Sequence, residues 1–223
     1  MKNFVLKFLV TVIFCSYFGT SSFTQKLSQE RKIDSLSVIT QLDSLKKNFE
    51  TNKEIPIRYE LVVYKAISYF PELIGVKMKF KVQKIKTTLN TRPSVASIFF
   101  RRKSKRTYIV RIDESNSSNK VTLRDASFNA RVGVFGHEFN HIVDYSKRSF
   151  IGVVARAFAY SSKKSKEKFE KEIDKLTIDK GLGWQLYDWS FYVLNKSKGT
   201  EKYKKFKRLI YLEPCEINDF LFQ

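Results

Sequence analysis

Both histidines of this 223-residue chain stand four positions apart around a glutamate, in FNARVGVFGHEFNHIVDYS (128–146). Residues four apart lie on one face of an α-helix, so His137 and His141 can aim their imidazoles at a single point only if this stretch is helical. The same turns must then also supply an apolar stripe. At about 100° per residue, Phe128, Val132, Phe135, Phe139, Ile142 and Val143 share one arc, while His137, His141 and Asp144 share the opposite one. The spacing therefore predicts a helix from about Phe128 to Ser146, N-capped by Ser127 or Asp125, with one face docked on a core and the other lining a cleft. Glycine inside a helix costs about 1 kcal/mol relative to alanine, so Gly133 and Gly136 imply that a neighbouring element approaches closely.

Neutral imidazole is a common zinc ligand. A glutamate directly after the first histidine sits beside the ion without binding it, where it can take a proton from water, which is the chemistry of H-E-x-x-H. With two His and thirteen Glu in the chain, chance would produce this pattern about once in a thousand such sequences. A catalytic zinc normally takes three protein ligands, so one is still to be found. There is no third histidine, and Cys215 is a lone thiol far downstream beside Pro214, which leaves a carboxylate. The next strongly patterned helix is SKEKFEKEIDKLTIDKGLG (165–183), with Phe169, Ile173 and Leu176 as its apolar stripe and Gly181 and Gly183 as stop signals. Glu170 and Asp174 occupy one flank of that stripe and Glu172 the other.

H-E-x-x-H on one helix followed by E-x-x-x-D on a second resembles the active site of the gluzincin zinc metallopeptidases, over roughly residues 125–183. The resemblance implies an α+β, zincin-like metallopeptidase domain, in which a small β-sheet precedes the active-site helix and a mainly helical C-terminal half follows. It also implies one Zn2+ per chain held by His137, His141 and Glu170, with Asp174 hydrogen-bonding an imidazole N–H, that of His137, and fixing its tautomer. Glu172 is the alternative third ligand. Glu138 is then the general base that activates water and passes its proton to the leaving amine of a cut peptide bond. Tyr145, Tyr187 and Arg208 are within conceivable reach of an oxyanion, but nothing in the pattern selects one of them.

Around this pair of helices the chain reads as follows. IRYELVVYKAISYF (57–70) is a helix ending near Pro71, and VKMKFKV (76–82) alternates Val76, Met78, Phe80 and Val82 with lysines as a half-buried strand. VASIFF (95–100) and RTYIVRID (106–113) read as two strands joined by the polar turn RKSK, and a strand beside the active-site helix would suit a peptide substrate that binds by strand addition. ESNSSNK (114–120) is a loop. FIGVVARAFAY (150–160) is too short to span a bilayer by the roughly 20-residue criterion, so it reads as a buried helix or alternatively an interfacial one. WQLYDWSFYVL (184–194) and EKYKKFKRLIYL (201–212) read as two further helices.

Lys2 and Lys7, the apolar run Phe8–Phe18 and the small residues after it form a secretory signal pattern with cleavage after Ser22 or Thr24. Residues 1–24 are thus expected to be a signal peptide, or alternatively an uncleaved anchor, and the protein to be exported to the periplasm or beyond the cell. Residues 25–50 form an N-terminal helical segment and 51–223 the catalytic domain. The net charge of +20 carries a competing expectation, that of a secreted basic protein that binds anionic polymers or membrane surfaces with a non-catalytic metal site or none. The lysines are scattered and follow no nucleic-acid motif, so a protein or peptide substrate is expected and a nucleic-acid partner is not.

Overall fold

The computed structural model describes residues 29–115 and 119–223. Helix α1 (Ser35–Phe49), capped by the Asp34 carboxylate, precedes the short strand β1 (Lys53–Glu54), and helix α2 (Glu60–Ile67) follows. Strands β2 (Lys77–Val82) and β3 (Leu89–Pro93), helix α3 (Val95–Phe100) and strand β4 (Thr107–Ile112) complete the N-terminal half. The C-terminal half is helical: α4 (Phe128–Lys147), α5 (Phe150–Ala159), α6 (Lys163–Thr177), α7 (Gly183–Phe191), α8 (Glu201–Ile210) and α9 (Pro214–Phe222). The architecture is mixed α+β, with one four-stranded sheet ordered β1-β2-β4-β3. Strands β1, β2 and β4 run parallel, and β3 returns antiparallel to β4 with Thr91 opposite Val110.

The core forms where the sheet meets α2 and α4. Phe80 of β2 packs edge-on against Phe139 of α4, and Phe70, just after α2, meets the same ring at 5.8 Å. Phe135, Phe139, Ile142 and Val132 are fully enclosed, as the predicted stripe requires. The opposite arc of α4 is buried too, because α6 and α7 cover it, so this helix runs through the middle of the molecule. A Cβ on Gly133 would collide with the backbone carbonyl of Gln185 in α7, and one on Gly136 with the side chain of Leu182. Both glycines therefore permit the close approach that brings the covering helices in.

Two assignments along the chain are corrected. VASIFF is not a strand but helix α3, and the antiparallel partner of β4 is Leu89–Pro93. A six-residue apolar run carries no periodicity that separates helix from strand. Here Ser97 ends the ambiguity by turning inward, its hydroxyl donating to the carbonyls of Ser94 and Thr107. The strand that is present buries Leu89, Thr91 and Pro93 on alternate positions, but Asn90 and Pro93 are poor strand signals in a run of five. FIGVVARAFAY forms a helix, but Ile151 and Phe158 point outward, which overturns the buried reading.

Among the described residues no helix is long and apolar enough to cross a membrane. The signal-peptide expectation falls on residues 1–24, outside the described residues, as does the middle of the loop 114–120. The expected N-terminal helical segment contains α1. The residues before α1 are tied to the helical half: Asn129 of α4 accepts from the Ile33 N–H, and Gln29 accepts from the Gly183 N–H.

Candidate metal centre

Helix α4 starts where expected, with Ser127 capping the Ala130 N–H. Its pitch puts His137 and His141 on one side, facing α6, and α6 is itself positioned by Phe169 and Ile173, both buried against that side. The polar step Asn140 to Thr177 (2.9 Å), with Thr177 donating on to the Ile173 carbonyl, fixes the two helices in register. With that register set, Glu170 arrives between the two imidazoles.

The ligand atoms converge. Nε2 of His137 lies 3.1 Å from Nε2 of His141, and Oε2 of Glu170 lies 3.2 Å from the first and 3.3 Å from the second. A tetrahedral ion with ligand bonds of about 2.0–2.1 Å has ligand-to-ligand edges of about 3.3–3.4 Å, so this triangle is close to one face of such a tetrahedron. His137, His141 and Glu170 thus form a buried group able to hold a metal ion. Glu172 does not join them; its carboxylate is exposed and faces Arg156 at 3.8 Å.

Asp174 stands behind the triangle. One carboxylate oxygen is 2.7 Å from Nδ1 of His137, and the other accepts the Leu212 N–H at 2.9 Å. The backbone after α8 thereby holds the carboxylate that orients His137, which leaves Nε2 free to face Glu170 and His141. Burial opposes a charge on His137, but the hydrogen bonds and negative charges of Asp174 and Glu170 outweigh it and raise its pKa to about 10. Burial likewise opposes ionised Glu170, yet the two imidazoles hold its carboxyl well below the ordinary range.

Glu138 lies next to the triangle and outside it, 6% exposed, with one carboxylate oxygen buried and unpartnered. A buried acceptor without a donor costs on the order of 1–3 kcal/mol, and water beside the site would relieve this. The open space is there. A cavity of about 60 Å³ is bordered by His137, Glu138, Trp189, Tyr211 and the Thr87–Leu89 segment that opens the edge strand β3. That is room for about two water molecules.

Asp144 shares the arc of the histidines, yet it does not line the cleft: Arg148 and Arg156 bind its carboxylate at 2.6 and 2.9 Å. Tyr145 stacks on His141, Tyr187 packs in a separate cluster, and Arg208 faces Glu213. Two phenols that the sequence did not single out do reach the site. Tyr160 packs edge-on against Phe169, the residue before Glu170, and the ring of Tyr211 lies 5.6 Å from that of His137. Burial first, and then the charge of Glu170, pushes both hydroxyls far up, so both remain proton donors. Their positions depend on how α5 and α8 pack, which no local spacing encodes. Comparisons with protein families, with curated proteins and with solved structures give no match to this chain.

Proposed function

We propose that the chain is a zinc-dependent peptidase with a zincin-like architecture, exported from the cell. The observation that carries this reading is the pairing of a His-His-Glu triangle of tetrahedral dimensions with Glu138, a buried carboxylate oxygen left without a partner beside it. A structural zinc site closes its fourth position with a further ligand, whereas three ligands beside an unpartnered acid suit a site that keeps a position for water. Two imidazoles and one carboxylate are a ligand set that catalytic zinc takes, and the carboxylate of Glu138 beside them suits an ion that activates water. When bound, the ion would supply Lewis acidity to a peptide carbonyl and to water. Glu138 takes the proton from that water and delivers it to the departing amine, while Asp174 holds His137 in the tautomer that presents Nε2.

Strand β3 is the edge of the sheet next to the cavity, where an extended peptide could pair with it. A cavity of about 60 Å³ admits water but not a peptide, so substrate entry requires one wall to move. Helix α8 contributes Tyr203 and Lys207 to that wall and has only Ile210 buried along its length, which makes it the least anchored border.

Elemental analysis of the wild type, His137→Ala and Glu170→Ala tests the ligands, and cleavage of an unstructured protein such as casein tests the chemistry. The expected result is one zinc per wild-type chain, lost in both alanine variants, with Glu138→Gln retaining zinc and helical content while turnover drops by about 10²-fold or more. Full cleavage by Glu138→Gln, or a wild type that stays metal-free after reconstitution with zinc, would overturn the reading.

A further inference from the structure

Helix α5 has its apolar side facing out. At about 100° per residue Ile151, Val154 and Phe158 fall within a narrow arc, and Ile151 and Phe158 are 76% and 71% exposed, while Val153 points into the core. Arg156, on the inner side, is committed to Asp144 and to the face of the Phe169 ring. Helix α3 extends the same face. Phe100 is 84% exposed, and Phe99 meets Phe150 of α5 at 5.2 Å between ring centroids. Two helices that are separate in sequence thus join into one exposed apolar surface.

The charge around this surface has a single sign. From Leu73 to Ile112 the chain has twelve Lys or Arg and no Asp or Glu, and from Tyr145 to Lys166 it has six and none. Arg101, Arg102, Lys103 and Lys105 follow Phe100 directly and are exposed, and exposed Lys147 lies just before Phe150. Of the acidic groups on the helices packed against the face, Asp144 carries both Arg148 and Arg156, Glu172 faces Arg156, Glu167 faces Lys171, and Glu138, Glu170 and Asp174 are buried.

We propose that the α3–α5 face docks on an anionic lipid bilayer. Phe100, Ile151 and Phe158 enter the boundary between headgroups and acyl chains, and the surrounding cations lie against lipid phosphates. A second copy of the chain is a poor occupant, because pairing the face with itself would bring two cationic rims together. A nucleic acid would satisfy the cations and leave the aliphatic side chains without a partner.

The test uses the full chain, and its readout sits on the face itself so that the apolar N-terminal segment cannot produce the signal. Phe100→Trp places an indole on α3, and both native tryptophans lie in α7, so the difference from wild type reports the face alone. With phosphatidylglycerol vesicles the added emission should shift to shorter wavelength and be quenched by brominated acyl chains. Phosphatidylcholine vesicles or 0.5 M salt should reduce that quenching at least tenfold. Introducing Ile151→Asp and Phe158→Asp together into the Phe100→Trp chain should abolish it with the far-ultraviolet dichroism unchanged. An added indole that stays unquenched on anionic vesicles overturns the proposal. So do equal quenching on neutral vesicles and a lipid-free dimer that the double substitution dissociates.

Discussion

Asp144 comes three residues after His141, and its helical position alone would place it with the metal ligands. Its partners decide otherwise. Arg148, one turn later, and Arg156, from α5, bring two guanidiniums within 2.6–2.9 Å of its oxygens, so the carboxylate ties the end of α4 to the last turn of the next helix. Burial alone would raise its pKa, but the two arginines lower it below the ordinary value near 3.8. A depressed carboxylate contributes stability that is present above its unfolded pKa and is lost as pH falls through the lower folded one. Asp144→Asn should therefore unfold more easily than wild type at pH 7, by about 1–2 kcal/mol for a half-buried pair. The gap between the two should close progressively below pH 4. Thermal midpoints of both proteins measured from pH 7 to pH 2.5 check this, and a gap that persists at the acid end would mean that the residue matters through its shape rather than its charge.

Packing of α7 across α4 sets how the elements meet. At Gly133 the obstacle to a side chain is the backbone of Gln185, which cannot rotate away, whereas at Gly136 it is the tip of Leu182, which can. Alanine gains about 1 kcal/mol of helix propensity at either position. Gly133→Ala should nevertheless lose about 3 kcal/mol through overpacking, and Gly136→Ala about 1 or less. Urea midpoints that rank the two variants in the opposite order would show that α7 can slide on α4. The same glycines could be read in the sequence, because a residue that weakens a helix yet sits in its middle implies a near neighbour. So could β2 and β4, with their alternating residues, and the convergence of His137 with His141, which depends on spacing within one helix; that Glu170 rather than Glu172 comes to them depends on how α6 packs on α4. What could not be read depends on contacts between distant segments. Strand β3 exists because β4 has an open edge, α3 is helical because Ser97 finds the Thr107 carbonyl, and Tyr160 and Tyr211 reach the site only after α5 and α8 have docked.

At the scale of the whole molecule, 42 Lys and Arg face 22 Asp and Glu, so at least twenty cations have no acid of their own. Ion pairs at the surface, such as Lys79 with Glu54 and Arg31 with Asp188, are screened by water and contribute little. Repulsion among the excess cations is longer in range. A folded chain of this length has a radius of gyration of about 17 Å. At 10 mM salt the screening length is about 30 Å, so every cation feels the others; at 0.5 M it is about 4 Å, and only contact pairs remain. The unfolded chain, several times more extended, suffers less from the same charge, so screening favours the folded state. The thermal midpoint should therefore rise between 10 mM and 0.5 M chloride by about 5 °C, equivalent to roughly 1–3 kcal/mol, and equally for the sodium and potassium salts. A midpoint that falls would mean that the surface ion pairs outweigh the excess charge. Vesicle binding through α3 and α5 should have the opposite salt dependence, weakening over the range in which the fold strengthens. Measuring both on one preparation separates them, because a cation that destabilises the folded chain at low salt is also one that an anionic surface can neutralise.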